Sequence, residues 1–170
     1  MKRTTLRYEI QQTKDFPSLE AEVFLNLLRT AEAVSVAPHG LLRDQGLSGS
    51  QYNVLRILRG AGDSGLSCRE IVDRMVTRDS DMTRLLDGLE RKRLVGRNRS
   101  APDRRVIVSQ ISTAGSELLA DLDAPMQAVH TAQFEHLSEA KLTRLSRLLE
   151  EARQSPTRRS TLNHVDGEDR

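Results

Sequence analysis

Between residues 80 and 93, apolar and polar positions alternate with the period of an α-helix. Leucines and one methionine recur at i, i+3, i+4 and i+7 and form one apolar stripe: Met82, Leu85, Leu86 and Leu89. Polar side chains, among them Thr83, Arg84 and Asp87, fall on the other faces. The pattern predicts a helix over about Ser80–Arg93 that buries one face and exposes the other.

Directly after this helix the pattern changes to that of a β-hairpin. Leu94–Arg99 and Val106–Ile111 each have the composition of a strand, and Ser100–Arg105 is the loop between them. Four arginines and one aspartate lie within residues 97–105, so this segment carries a local net charge of +3. Leu66 is predicted to form a minimal third strand beside the hairpin.

Two further helices are predicted upstream from the residues that start them. Ser48 with Gln51, and Ser67 with Glu70, have the spacing of a capping box, in which two side chains satisfy free backbone N–H groups at a helix start. A turn at about residues 76–79 then leads into the helix described above. The predicted order is helix, turn, helix and basic hairpin.

Long helical patterns flank this region, at residues 17–46 and 113–154, and Ser112 is predicted to cap the second one. The first carries a wide apolar stripe made by Leu19, Val23, Phe24, Leu27 and Leu28. A stripe this wide near a chain end requires a partner surface. Pro38 is expected to kink or restart its helix, and Pro125 to kink the other, because proline lacks an N–H.

The two ends of the chain differ from its middle. Residues 1–16 have the composition of a flexible arm, and residues 155–170 that of a disordered tail with almost nothing to bury. Between them, residues 17–154 are predicted to form one domain. Within it, residues 47–112 form the lobe that contains the helix-turn-helix and the hairpin.

Composition narrows the classes of function. Aromatic residues make up 3% of the 170 residues and there is no Trp, which argues against the aromatic platforms that bind single-stranded nucleic acid. One cysteine cannot form an internal disulfide, so a reducing cytoplasm is the expected compartment. No apolar run is long enough to cross a membrane, and no nucleophile elbow, P-loop or glycine fingerprint indicates an enzyme. The histidines lack metal-ligand spacing, so no metal and no other cofactor is expected.

A polar helix face beside a basic hairpin suits double-stranded DNA. The helix fits a major groove, while the hairpin can reach phosphates or the minor groove. Thr83 and Arg84 are the candidates for base-edge and phosphate contacts. Ser80 lies close to the helix N-terminus, which itself favours a phosphate. An ordinary solvated helix face is the alternative.

The hairpin loop supplies the second set of candidates for DNA contact. Arg104 and Arg105 are predicted to insert into a narrow minor groove, which attracts arginine by its deeper negative potential. Asp103 is suited to hold the Arg105 guanidinium in place rather than to contact DNA. A solubilising loop is the alternative interpretation.

A known family carries a similar run of residues. The MarR (multiple-antibiotic-resistance regulator) family of winged-helix transcription factors resembles this chain at TRLLDGLERKRLVGRNRSAPDRRVIVSQISTAG, and the resemblance extends over about Leu19–Arg153. The wing signature of the family is Asp-x-Arg, five residues, Leu-Thr and a nearby Gly. The chain has Asp103-x-Arg105, five residues, Ile111-Ser112 and then Gly115.

The resemblance implies a mainly α fold with a small β-hairpin wing, a winged helix-turn-helix whose N- and C-terminal helices, residues 17–46 and 113–154, form a homodimer. It implies a bacterial DNA-binding transcription regulator, usually a repressor on a palindromic operator, with half-sites about 10 bp apart. A small-molecule effector between the dimer helices and the DNA-binding lobe would release DNA by changing the lobe spacing.

Two positions in the lobe leave alternatives open. Arg97 either contacts a phosphate from its strand or pairs with Asp87 or Glu90. Gly88 stands where many MarR members carry Arg, and a glycine inside a helix costs about 1 kcal/mol relative to alanine. Either a neighbour approaches Gly88 closely, or the glycine is simply tolerated.

Two other functions are consistent with the residues. One is a winged-helix module that docks an acidic protein partner through its hairpin and helix. The other is a redox-sensing regulator that uses Cys68, which sits just inside a predicted helix N-terminus beside Arg69, where a thiolate is favoured. A small buried Cys68 that faces the core is the alternative to a reactive one.

Overall fold

The structure is a computed structural model that describes residues 5–77, 81–99 and 107–154. Within these ranges there are seven α-helices: α1 (Leu6–Glu9), α2 (Leu19–Asp44), α3 (Gly49–Ala61), α4 (Cys68–Arg74), α5 (Met82–Arg91), α6 (Thr113–Phe134) and α7 (Glu139–Arg153). The three strands are β1 (Leu66–Ser67), β2 (Val95–Arg99) and β3 (Ile107–Ile111). The chain forms two compact units, Met1–Val129 and His130–Arg170.

The predicted hairpin is present in the first unit. β2 and β3 pair antiparallel, with Val95 opposite Ile111 and Arg99 opposite Ile107. β1 pairs with the other edge of β3, with Leu66 opposite Ser109, so the sheet order is β1-β3-β2. The minimal third strand predicted at Leu66 is thereby confirmed.

The core of the first unit is aliphatic, as the composition requires. Its fully buried side chains come from α3, α4, α5 and α6: Val54, Leu55, Leu58, Ile71, Leu89 and Leu119. The stripe predicted for α5 is confirmed, because Met82, Leu86 and Leu89 are buried and Leu85 packs against the core while partly exposed. The stripe fixes which face of α5 remains available to a partner.

Both predicted capping boxes are present. At the start of α3, the Gln51 N–H donates to Ser48 Oγ over 3.1 Å, and the Ser48 N–H donates to Gln51 Oε1 over 3.2 Å. At the start of α4, the hydroxyl and the N–H of Ser67 both donate to Glu70 Oε2, over 2.7 and 2.8 Å. These two hydrogen bonds hold the pKa of the Glu70 carboxyl below its ordinary value.

The structure bears on several expectations for the flanking regions. α2 continues through Pro38, so the helix does not restart there, and α6 is one helix through Pro125; a kink at either proline stays a prediction. Each proline removes only its own N–H, and the helix persists on the bonds of its neighbours. The predicted flexible arm contains α1, whose Leu6 is buried. The predicted tail at 155–170 lies outside the described residues.

α5 ends in a Schellman motif that is closed by an arginine. Arg93 has φ +60°, the left-handed conformation in which glycine is usual. The Arg93 N–H donates to the Glu90 carbonyl over 2.8 Å, and the Leu94 N–H donates to the Leu89 carbonyl over 3.0 Å. The motif satisfies two free carbonyls at the end of α5 and turns the chain sharply into β2.

One serine connects this turn to the start of α6. The Ser112 hydroxyl donates to the Arg93 carbonyl over 2.7 Å and accepts the Gly115 N–H over 3.0 Å, while the Ser112 N–H donates to the Leu94 carbonyl over 3.0 Å. The predicted cap at Ser112 is confirmed. Gly115 is packed so closely that a Cβ there would overlap the Leu94 carbonyl oxygen and lie 2.8 Å from Ile111 Cγ1. The last glycine of the wing signature is therefore required by this close approach.

We expect Gly115→Ala to lower the free energy of unfolding by about 1–3 kcal/mol, the usual cost of overpacking a tight site. The methyl group meets backbone, which cannot rotate away as a flexible side chain could. Gly96→Ala is the matched control, because a Cβ at Gly96 has no heavy atom within 4 Å. Chemical denaturation of both variants measures the difference, and equal stabilities would contradict the close packing described here.

Candidate nucleic-acid interface

The exposed face of α5 carries the two residues that the sequence analysis selected for base contact. Thr83 and Arg84 are both exposed, on a helix whose opposite face is buried in the core by Met82, Leu86 and Leu89. Because the buried stripe anchors the helix, Thr83 and Arg84 are presented outward from a fixed support. Ser80, the third candidate on this helix, lies outside the described residues.

The helix begins at a residue that the sequence analysis did not select. Asp81 is the N-cap of α5, and its carboxylate accepts the Arg84 N–H over 3.0 Å. An aspartate directly before the first residue of an apolar stripe is a standard N-cap signal, so the sequence did contain the information. The carboxylate occupies the helix N-terminus, which weakens the expectation that this end of α5 attracts a phosphate.

Arg97 turns back from β2 onto α5. Its guanidinium Nη2 lies 2.7 Å from Asp87 Oδ1, and its Nε lies 3.6 Å from Glu90 Oε2. The side chain is only 23% exposed. Of the two alternatives for Arg97, the structure therefore shows the pairing with the acids of α5. This ion pair joins β2 of the wing to α5. Contact between Arg97 and a phosphate stays a prediction.

The tip of the wing is where most of the remaining candidates fall. Asp103, Arg104 and Arg105 lie in the segment 100–106, outside the described residues, so their roles stay predictions. The strands on either side of that segment are described and are paired in register from Val95 to Arg99. The hairpin that would carry these arginines is thus present beside α5.

Cys68 is exposed and does not have the buried environment that one of its two interpretations required. It is the first residue of α4 and its side chain is exposed, so the interpretation as a small residue facing the core is wrong. In the described part of the chain, no group of three or more His, Cys, Asp or Glu side chains is arranged to hold a metal ion. Among the same residues, no helix is long and apolar enough to cross a membrane.

The open question at Gly88 has a structural answer. A Cβ at this position would lie 3.0 Å from Gln51 Nε2, so a neighbour does approach closely. Gln51 is the residue that closes the capping box of α3. Many MarR members carry an arginine at this position, and the Cβ of an arginine here would lie in close contact with the Gln51 amide.

The comparisons with known proteins agree with this geometry. A model of the MarR family matches residues 45–106. A MarR transcription factor from Planctomyces limnophilus, solved by crystallography, is 37% identical; the match covers 80% of this chain and 98% of that one, with a TM-score of 0.62. The chain belongs to the MarR family. Its fold, mainly helical with a three-stranded wing, is the one that the sequence analysis predicted.

Two other MarR-related proteins extend the comparison. The HTH-type transcriptional regulator MhqR of Bacillus subtilis is 28% identical over 128 residues, which are 75% of this chain and 87% of MhqR. CouR from Rhodococcus jostii, solved with bound p-coumaroyl-CoA, is 26% identical over 81% of this chain and 95% of its own, with a TM-score of 0.68. This MarR protein is accordingly a DNA-binding transcription regulator and not an enzyme.

We expect Asp87→Asn to strengthen binding to random duplex DNA. The substitution keeps the shape of the side chain and removes the negative charge beside Arg97. The guanidinium is then left with the Glu90 carboxylate and a 3.5 Å hydrogen bond to the Thr83 carbonyl. If the released guanidinium reaches a phosphate, the slope of log affinity against log salt becomes steeper by about 0.9. Fluorescence anisotropy at several salt concentrations measures this slope.

The matched control for this prediction is Glu117→Gln, which removes the same charge from an exposed position on α6. A change of equal size in both variants would mean that net charge alone acts. An unchanged slope for Asp87→Asn would mean that Arg97 does not reach the DNA backbone.

Proposed function

We propose that this MarR protein is a homodimeric repressor that binds a palindromic DNA operator. Each protomer places α5 in a major groove and its wing at the adjacent minor groove. The observation that carries the proposal is the exposed Thr83–Arg84 face of α5, anchored by a buried stripe and flanked by the β2–β3 hairpin. Two relatives from Bacillus subtilis, the repressors YetL and MdtR, are 31% and 26% identical over 98 and 129 residues.

The homodimer is supported by an apolar surface on the N-terminal half of α2. Leu19 is 71% exposed, Phe24 is 59% exposed and Leu28 is 53% exposed, and all lie on the stripe that the sequence analysis identified. In the second unit, Leu145 and Leu148 of α7 are exposed as well. Contiguous exposed apolar residues of this kind mark protein interfaces. Because a palindromic site has two-fold symmetry, a second copy of the chain is the partner that fits.

Regulation by a small molecule is part of the proposal. CouR, a relative solved with p-coumaroyl-CoA, supports a ligand-bound state within the family. In this chain, a groove is lined by His39, Tyr52, Arg56 and Val76, and among the described residues the buried Tyr52 hydroxyl has no hydrogen-bond partner. A ligand with a polar group could satisfy that hydroxyl. The groove adjoins the chain just before α5, because the Val76 N–H donates to Asn53 Oδ1 over 2.9 Å.

Selection of bound fragments from random duplex DNA tests the proposed operator. We expect the recovered sites to contain inverted half-sites about 10 bp apart from centre to centre, which is one turn of the double helix. Thr83→Ala and Arg84→Ala should each lose about 1–3 kcal/mol on the recovered site and less on random duplex, since base contacts carry the specificity. Arg105→Ala should weaken binding to both DNAs alike.

Two results would contradict this assignment. Equal losses from Arg84→Ala on the recovered site and on random DNA would show that Arg84 does not read bases. Failure of the wild-type protein to bind any duplex at low salt would refute DNA binding and favour a protein partner for the same surface.

We expect Leu27→Lys to convert the dimer into monomers, because it places a charge at the centre of the apolar stripe of α2. Sedimentation velocity measures the change. Ala33→Lys adds the same charge at another exposed position of α2 without removing a large apolar side chain, and it should remain dimeric. A wild-type protein that sediments as a monomer at the concentrations used for DNA binding would refute the dimer.

A further inference from the structure

A polar corner joins the end of α2, the start of α3 and the second half of α5. Lys92, the C-cap of α5, donates a hydrogen bond from its ammonium group to the Gly46 carbonyl in the α2–α3 loop. The same ammonium lies 3.4 Å from Gln51 Oε1 on α3. Lys92 thus links three segments that are distant in sequence but adjacent in the first unit.

Gln51 occupies the centre of this corner. Its Oε1 accepts the Ser48 N–H and faces Lys92, while its Nε2 points towards Gly88 of α5, 3.0 Å from the position of a Cβ. Glycine is unfavourable inside a helix, and α5 is only ten residues long. A side chain at this position would meet the Gln51 amide, which would have to move by a few tenths of an ångström.

The polar corner lies between the helix of the proposed dimer interface and the helix of the proposed DNA contact. Gly46 lies two residues beyond the end of α2, the helix whose exposed apolar stripe is assigned above to the dimer interface. Gly88 lies within α5, the helix assigned to the major groove, and Lys92 is its C-cap. The hydrogen bonds are exposed, so they contribute little to global stability. They nevertheless connect the end of α2 with the end of α5. In the proposed dimer, the angle between α2 and α5 would decide how far apart the two α5 helices lie.

We propose that Gln51 and Lys92 are positioning residues that set the orientation of α5 relative to the end of α2, and through it the half-site spacing that the dimer accepts. Lys92 acts through the Gly46 carbonyl and Gln51, and not by binding a phosphate. The proposal rests on the proposed function, because it requires a dimer that binds paired half-sites.

Lys92→Met tests the proposal, because it keeps the apolar stem and removes the ammonium group. On the recovered operator we expect affinity to fall about 3- to 10-fold, the size of effect typical of the loss of one exposed hydrogen bond. Affinity for random duplex and the salt slope should stay unchanged. On operators with the half-sites moved by one base pair, the variant should lose less affinity than the wild type does, because α5 is held less strictly.

The matched control is Lys14→Met, which removes the same charge from an exposed lysine between α1 and α2 and should match the wild type in every measurement. Equal losses from Lys92→Met on both DNAs, with a salt slope shallower by about 0.9, would show that Lys92 binds a phosphate and would overturn the proposal. An unchanged spacing preference would overturn it as well. If the wild type binds no duplex at all, the proposed function itself has failed, which is a distinguishable result.

A double-mutant cycle at Gly88 gives an independent measurement. Gly88→Ala should raise helix propensity yet weaken operator binding about 3-fold or more, because its methyl group displaces the Gln51 amide. In a Gln51→Ala background, Gly88→Ala should have no further effect on binding. Additive effects of the two substitutions would show that Gln51 and Gly88 are not coupled and would overturn this part of the proposal.

Discussion

The DNA-binding lobe depends on the junction at which α5 ends, the wing begins and α6 starts. Ser112 bonds to the carbonyls of two consecutive residues, Arg93 and Leu94, and caps α6 through the same hydroxyl. Gly115 lets the first turn of α6 approach the Leu94 carbonyl. Ser112 therefore ties the end of α5, the start of the hairpin and the start of α6 together.

The surface around α5 combines basic and acidic groups rather than presenting a uniform positive field. Asp81 caps the helix, and Asp87 holds the guanidinium of Arg97. The whole chain carries a net charge of only +2. In the proposed complex with DNA, the pairing of Arg97 with Asp87 would keep this arginine from binding any phosphate, which would lower non-specific affinity relative to base-specific affinity. Such a surface suits a regulator that must find one site among many competing sequences.

Helix α2 exposes apolar residues on the surface that the proposed dimer would cover. α2 is buried at its C-terminal end by Leu42 but exposes Leu19, Phe24 and Leu28 at its N-terminal half. One helix therefore contributes to the protein core at one end and, in the proposed dimer, to the interface at the other. The corner formed by Gln51 and Lys92 lies just beyond the buried end of α2 and connects it with α5.

The sequence by itself determined the elements and their order, since apolar periodicity, capping boxes and the wing signature are local signals. The stripe of α5, both capping boxes, the cap at Ser112 and the β2–β3 hairpin all follow from residues close together in the chain. Tertiary structure alone decided the pairing of Arg97 with Asp87, the exposure of Cys68 and the need for glycine at position 115. Each of these depends on which distant atoms come within a few ångströms, and no local pattern of residues encodes such distances.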